Sequence, residues 1–293
     1  MPSRSSTTPG STPSSTFQGV VRSSMASLPL RHGLAAGLAL AVLATPSVNA
    51  EPTSGISLDY RLYIGGLHAL SMTTRLSGFD EPDHYAMAVT ARTDGFVARI
   101  IDASYVAKAH GTMASGIAMP SRFHGTASDE DEGERSVTLT WSDGVPEVIF
   151  DPVHEAPDAP LADEIIDGTV DPSSAVLTIM QTVATNDTCE ARIRVFDGKR
   201  RYDMVSSHGG DWLLRKTDHN AYGGPATECI VTIERLAGFR KRRLAKRYPS
   251  EFSIYLGRLR EDLLPVPVRL HANNLFGAVR VHLVAWRNER AGP

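Results

Sequence analysis

Apolar and polar residues alternate along most of the chain after residue 55. In residues 136–142, valine, leucine and tryptophan alternate with serine and threonine, and in residues 191–195 alanine, isoleucine and valine alternate with arginines. A period of two is typical of β-strands that bury one face. Asp197-Gly198 follows the second segment and predicts a tight hairpin, because glycine accepts the positive φ that such a turn requires.

The same alternation predicts short strands throughout the remaining chain. They cover residues 57–64, 70–77, 83–91, 103–112, 117–126, 136–142, 146–150, 191–195, 199–204, 211–217, 227–236, 251–258, 266–272 and 277–286. Many short strands at regular spacing indicate an antiparallel sheet. We therefore predict a mainly β fold built on one strongly curved antiparallel sheet, either a half-barrel or an open barrel.

Two segments have helical spacing instead. Asp171-Pro172 predicts an N-cap followed by proline at the first helical position, and apolar residues then recur every three or four positions over residues 172–184. This amphipathic helix is expected to pack its apolar face on the sheet. Residues 95–101 predict a shorter helix. Residues 151–169 are rich in proline and aspartate and predict a surface connection.

Residues 25–50 have the layout of a secretory signal peptide. Met25 opens a short basic segment, an apolar stretch of about a dozen residues follows, and small residues precede the end at Ala50. The apolar stretch is shorter than the roughly 20 residues of a transmembrane helix. We expect cleavage after Ala50, a periplasmic location and no transmembrane anchor. We predict that residues 1–24 are a disordered leader or a misassigned start, and that residues 51–293 form a single β-rich domain.

Charge and cysteine content narrow the classes of partner and compartment. The net charge is −3, whereas nucleic-acid-binding domains are usually basic, so we expect no nucleic-acid partner. The chain has two cysteines, Cys189 and Cys229. In an exported protein such a pair predicts one disulfide. The alternatives are a buried free pair and a redox site, although no C-x-x-C spacing supports the latter.

A basic cluster is the most distinctive charged segment. Its members are Arg240, Lys241, Arg242, Arg243, Lys246 and Arg247. Such a cluster can contact the anionic head groups of lipids, an acidic polysaccharide or an acidic protein. The alternative is a solvated loop between two strands, which is the usual role of a charge cluster.

Other candidate chemistry is sparse. Acidic residues at 129–134 are contiguous rather than alternating as in a calcium loop, which indicates a solvated hairpin. The ten histidines show no metal-ligand spacing. Ser207 and His208 are adjacent and would point to opposite faces of a strand. We therefore expect no metal, no cofactor and no enzymatic activity, with a hydrolase whose site is not evident in the sequence as the alternative.

Arg201 and Asp203 would share one face of a strand. In a functional interpretation, Arg201 binds an anionic ligand inside the sheet. The alternative is a cross-strand ion pair, with Tyr202 on the opposite face in the core.

Several motifs in order resemble a known family. They are Asp59-Tyr60, the segments 118–123 (AMPSRF) and 168–173 (GTVDPS), Cys189, the segment 195–203 (VFDGKRRYD), Cys229 and the segment 236–239 (LAGF). Their order and spacing over residues 55–286 are similar to those of an exported proteobacterial family, the domain of unknown function 3108. The resemblance implies a curved sheet with one or two helices on its concave face, similar to periplasmic lipoprotein carriers. The family has no assigned activity, so no catalytic residues are implied.

These observations lead to two functional hypotheses. The first is non-enzymatic binding or carriage of a hydrophobic or amphiphilic envelope component, such as a lipid, in an apolar groove. The alternative is a structural or protein-interaction module of the cell envelope whose core is packed. An open apolar cavity would favour the first hypothesis and a filled core the second. The sequence leaves the ligand, the ligand-binding residues and the oligomeric state open.

Overall fold

A computed structural model of the protein describes residues 55–78, 83–155, 157, 160–239, 250–274 and 277–289. The first strands are β1 (Gly55–Ile64), β2 (Leu67–Ser77), β3 (His84–Thr93), β4 (Ala103–Ala114), β5 (Ile117–Asp129), β6 (Gly133–Trp141) and β7 (Pro146–Asp151). Helices α1 (Asp163–Ile166) and α2 (Pro172–Asn186) follow. The remaining strands are β8 (Ala191–Phe196), β9 (Arg201–Leu214), β10 (Gly224–Ala237), β11 (Glu251–Gly257), β12 (Val266–Asn274) and β13 (Gly277–Glu289).

The strands of the described residues form one sheet in the order β7-β6-β5-β4-β3-β2-β1-β13-β12-β11-β10-β9-β8. Each half of the chain is a meander, and the two meanders join where β1 pairs antiparallel with β13, for example with Leu58 opposite Trp286. The edge strands β7 and β8 follow one another in the chain but do not pair, so the curved sheet stays unclosed. The predicted mainly β, antiparallel fold is confirmed.

One face of the sheet carries the core, and we call it the inner face. Leu58 on β1, Leu139 on β6, Val231 on β10 and Leu283 on β13 have no exposed area. They belong to one hydrophobic cluster that also contains the buried side chains of α2. Because successive side chains of a strand point to opposite faces, the alternation in the sequence produces this inner face and a more polar outer face.

Helix α2 packs into the core formed by the inner face. It begins after the N-cap Asp171, and Pro172 occupies the first turn, where its missing N–H costs no hydrogen bond. Leu177 and Ile179 are almost completely buried. The helix predicted over residues 172–184 is therefore confirmed, and it extends two residues further.

Residues 163–170 line the gap between the two edge strands. Val170 forms a parallel bridge with Val195 of β8, and the amide of Val170 donates to a carbonyl of β8 at 2.9 Å. The amide of Gly168 donates to the turn between β6 and β7 at 3.1 Å. The segment thus provides hydrogen-bond partners for part of the open edge of β8. An unpaired strand edge would otherwise be free to pair with another chain. The prediction that residues 151–169 form a surface connection is wrong for this part, because Ile166 and Thr169 are buried.

The turn between β8 and β9 reaches across the same gap. Gly198 has a φ of +94°, and a Cβ there would lie 2.6 Å from Cγ2 of Val137 on β6. The hairpin predicted from Asp197-Gly198 is therefore present, and only glycine lets its tip lie this close to β6.

Two local predictions are wrong. Residues 95–101 do not form a helix beyond a single 3₁₀ turn at Val97–Arg99, because no residue of this turn is buried and a short helix needs packing to persist. The strand predicted over residues 211–217 is not separate. Residues 211–214 are the end of β9, which pairs with β10, and residues 215–217 lie beyond this strand.

The signal peptide, the alternative starts and the basic cluster at 240–247 lie outside the described residues, as do residues 79–82. In the described part of the chain, no helix is long and apolar enough to cross a membrane.

Candidate functional site

A small cavity opens on the inner face, at the end of the sheet where β5 passes into β6. We call it the hollow. Its volume is about 240 Å³. Its lining includes Tyr105, Phe123, Gly125, Val137 and Phe150. The N-terminus of α2, at Pro172, and the turn between β8 and β9 also line it, so the hollow lies beside the gap in the sheet.

Small residues on neighbouring strands create the hollow. Ala107 of β4 lies opposite Gly125 of β5, and Ala127 lies two residues further along the same inner face. A Cβ at position 125 would lie 3.1 Å from the Phe123 ring and 3.4 Å from the hydroxyl of Tyr105. A larger side chain at position 125 would therefore occupy space that the wild-type protein leaves open.

The floor of the hollow is apolar. Phe123 is 2% exposed, and Val137 and Phe150 face each other across β6 and β7. Tyr105 forms one wall, and burial of its hydroxyl, together with the charges of Asp171 and Asp197, raises its pKa to about 12. The phenol is therefore neutral at physiological pH and offers a hydrogen bond beside an apolar surface.

Charged side chains surround the mouth of the hollow. Lys199 donates to Glu155 at 2.9 Å, and its ammonium lies 5.3 Å from the centre of the Phe150 ring. The hydrogen bond from Lys199 lowers the pKa of Glu155. Arg135 forms an ion pair with Asp129 at 2.5 Å. The rim thus carries both signs of charge above an apolar floor, an arrangement that suits an amphiphilic molecule.

A buried hydrogen-bonded chain lies next to the hollow at the start of α2. Asp171 is fully buried and accepts from the amides of Ser173 at 2.8 Å and Ser174 at 3.1 Å, and from the Ser174 hydroxyl. Tyr85 donates to the Ser174 hydroxyl at 2.6 Å. Burial raises the pKa of Asp171, although these hydrogen bonds oppose the rise. The Ser174 hydroxyl is directed to a carboxylate rather than to an imidazole, which indicates a capping role.

The outer face carries a cluster of aromatic and imidazole rings that the sequence analysis missed. Adjacent ring centroids are 5.2–6.5 Å apart. The members are Tyr63, His68, His219, His282, His271 and Tyr255. Most of these residues are far apart in the sequence. The pairing of β2, β1, β13, β12 and β11 brings five of them together, and His219 joins them from the connection between β9 and β10. Within the described ranges, no group of three or more histidine, cysteine or acidic side chains is arranged to hold a metal ion.

Burial and nearby positive charge lower the pKa of one histidine in this cluster. Burial, with the nearby Arg269 and His271, lowers the pKa of His282 to about 4. A polar depression of about 400 Å³ lies beside it, lined partly by His271 and Arg280. It is larger than the hollow, but its walls are polar, so it does not suit an apolar ligand.

Arg201 does not point into the interior. It lies on the outer face of β9, is 4% exposed, and donates to Asp203 at 2.6 Å and to the carbonyl of Ile165 at 3.2 Å. Arg192 on β8 also donates to Asp203, at 2.8 Å. The interpretation of Arg201 as a ligand-binding residue inside the sheet is wrong, because its donors already serve this network. Tyr202 packs against the core, as the alternative required.

The two cysteines form a disulfide, with a Cα–Cα distance of 5.5 Å. It links β10 to the segment that precedes β8, and both cysteines are fully buried. Ser206 donates its hydroxyl to the carbonyl of Cys189 at 2.5 Å, whereas Ser207 and His208 are exposed. The Ser206 hydroxyl is thus engaged with the backbone, while the Ser207 and His208 side chains lie at the surface of β9.

The acidic residues at 129–134 form the hairpin between β5 and β6. Asp129 accepts from the amides of Asp131 at 3.0 Å and Glu132 at 2.7 Å. The interpretation as a solvated hairpin loop therefore holds, and Arg135 neutralises part of its charge.

Comparisons with known proteins agree with this architecture. The chain is similar to a crystal structure from Brucella abortus, described as a β-barrel-like protein of domain of unknown function DUF1849. The TM-score is 0.51 and the identity 14%, over 83% of this chain and 99% of that one. At this identity the likeness concerns the fold alone. No curated protein matches the chain. The family model DUF3108, a protein of unknown function, matches residues 59–284, and the chain therefore belongs to the DUF3108 family.

Proposed function

We propose that the protein binds the apolar part of a small amphiphile in the hollow. The observation that carries this proposal is the partly exposed apolar surface of Val137 and Phe150, which lies beside the buried Phe123 ring and beneath a charged rim. Elsewhere the inner face is filled by residues such as Leu58 and Leu283, which have no exposed area. Open apolar surface with a few polar groups beside it is typical of small-molecule sites.

The size of the hollow limits the ligand. Its 240 Å³ is below the roughly 300–1,000 Å³ of sites for drug-sized molecules. A single short alkyl chain or a chain end fits, and the polar part of the ligand would remain at the rim. There Lys199 and Glu155 offer a cation and an anion 2.9 Å apart.

We further propose that this binding involves no chemical transformation and takes place in the periplasm. The chain Tyr85–Ser174–Asp171 is hydrogen-bonded within itself and caps α2, and it presents no activated nucleophile. The buried Cys189–Cys229 disulfide is compatible with an oxidising compartment. The ligand would then be a lipid or another component of the cell envelope.

A structural role in the envelope is the second candidate. It is favoured by the extent of the filled core, which includes side chains from both meanders and from α2. In that case the hollow would be a packing imperfection without a ligand.

Titration with soluble amphiphiles separates the two candidates. Alkyl carboxylates, alkyl alcohols and alkyltrimethylammonium salts of increasing chain length would be followed by calorimetry. We expect affinity to rise with chain length and then level off once the hollow is full. Gly125→Val fills the floor and should abolish binding. Thr126→Val, one residue away on the outer face, is the matched control and should bind normally.

The outcome that contradicts the proposal is equally clear. If all three head-group series fail to bind, or bind equally well to the Gly125→Val variant, the hollow is not a ligand site. The structural role would then be preferred.

A further inference from the structure

The loop between β3 and β4, residues 94–102, exposes an unusual amount of apolar surface. Phe96 is 60% exposed, Ile100 66% and Ile101 55%. Single exposed apolar residues are ordinary on a protein surface. Three large ones within six positions are unusual, and such exposed apolar surface typically marks an interaction site.

Hydrogen bonds fix both ends of this loop, and this holds the three apolar side chains in their exposed positions. The Asp94 carboxylate accepts from the Ser71 hydroxyl at 2.6 Å and from the amide of Gly95 at 2.7 Å. At the other end, the Thr93 hydroxyl accepts from the amide of Ala103 at 3.1 Å. Because the loop ends are already fixed, the loop loses less conformational entropy when it binds a partner.

The loop carries a basic residue among its apolar residues and acidic residues only at its ends. Acidic residues stand only at its two ends, Asp94 and Asp102, whereas Arg99 lies between Phe96 and Ile100. An aromatic ring, aliphatic side chains and a cation within one short segment match the composition of peptides that lie in the lipid interface. There the apolar groups enter the acyl region and the arginine reaches the phosphates.

The position of the loop relates it to the hollow. It lies at the same end of the sheet, and Tyr105, a wall of the hollow, follows the loop by three residues. At about 3.3 Å per residue, the end of the loop and this wall are within roughly 10 Å of each other along β4. Leu67, 62% exposed, begins β2 at this end as well.

We propose that residues 94–102 dock the protein on a phospholipid bilayer, with Phe96, Ile100 and Ile101 inserted into the interface. If the bilayer is also the source of the amphiphile, that part of the proposal rests on the function proposed for the hollow. A protein partner fits less well, because a stable protein interface needs about 800 Å² on each side with a polar rim. This patch is one short loop.

The test uses the protein as purified from cells, after any processing there, and vesicles of phosphatidylethanolamine and phosphatidylglycerol. Any contribution of residues 1–54 is the same in every variant. We expect Phe96→Ser to weaken vesicle binding about tenfold or more, because transfer of a phenylalanine side chain out of water is strongly favourable. Leu213→Ser is the matched control. Leu213 is 78% exposed but lies near the opposite end of the sheet, so its replacement should leave binding unchanged.

A spin label gives a local readout. A nitroxide on Phe96→Cys should become accessible to oxygen and protected from a water-soluble relaxant when vesicles are added, whereas one on Leu213→Cys should stay in water. Wild-type vesicle affinity for Phe96→Ser, with the nitroxide at position 96 still in water, would overturn the proposal. A dimer that Phe96→Ser dissociates would also overturn it, by making the patch an interface between copies.

Failure here is distinguishable from failure of the proposed function. Soluble alkyl carboxylates need no vesicle, so the Phe96→Ser variant should bind them like the wild type if the hollow is a site. Conversely, the Gly125→Val variant should still dock on vesicles.

Discussion

Replacing Asp171 by alanine removes the acceptor at the start of α2, and the structure allows the cost to be worked out. The carboxylate accepts from the amides of Ser173 and Ser174 and from the Ser174 hydroxyl. Loss of an N-cap costs about 1 kcal/mol, and loss of a buried hydrogen bond to a charged group costs about 1.5–3 kcal/mol. We expect Asp171→Ala to lower the free energy of unfolding by about 3 kcal/mol.

Asp171→Asn is the matched control. Its amide oxygen still caps the helix, so the loss should be about 1 kcal/mol. Urea unfolding would be followed by the fluorescence of Trp141, whose indole N–H donates to the nearby carbonyl of Thr169 at 2.8 Å. Equal losses for the alanine and asparagine variants, or a loss for alanine below about 1 kcal/mol, would refute the capping argument.

The pH dependence provides a further check. Burial raises the pKa of Asp171 in the folded protein above its unfolded value. The stability that this group contributes is therefore full below the unfolded pKa, and it is lost as the pH rises through the folded pKa. The destabilisation caused by Asp171→Asn should accordingly shrink as the pH rises through this range. A penalty that grows with pH would contradict the inferred direction.

Three further changes test other parts of the fold. Replacing both Cys189 and Cys229 by alanine should cost about 3–4 kcal/mol in urea unfolding, because the disulfide no longer restricts the unfolded chain; an unchanged midpoint would contradict this. The folded pKa of His282 is lowered to about 4, so its contribution to stability is present above pH 6.5 and is lost as the pH falls towards 4. His282→Gln should remove about 1 kcal/mol of this acid sensitivity, a small value because water screens the half-exposed ring. Gly198→Val should destabilise the protein by about 2 kcal/mol and expose the gap between β7 and β8 to proteases; wild-type resistance would show that the close contact with Val137 is dispensable.

The sequence predicted those parts of the fold that depend on local patterns. The alternation that begins at residue 136 marks most of β6 (Gly133–Trp141), and Asp171-Pro172 marks the start of α2. The helix predicted over residues 95–101 is absent apart from one 3₁₀ turn, because helical spacing of apolar residues stabilises a helix only when that face packs on a core. Here Phe96 and Ile100 face solvent.

The hollow and the ring cluster could not be predicted, since both depend on strand register. Gly125 creates space only because Ala107 lies opposite it on the next strand. His282 and His271 become neighbours only through the pairing of β12 with β13. A single sequence contains no signal for which strands pair, or in which register.

The pairing of β1 with β13 has a consequence for synthesis of the chain. Every other strand pair of the described sheet joins strands that are consecutive in the chain, so each can form soon after its residues emerge. β1 must wait for residues 277–289, more than 200 positions later, and closing so long a loop is entropically slow. Until then the nascent protein presents β1 as an open edge. A chaperone that binds extended backbone would find its target there, on a strand that lies at the centre of the finished sheet.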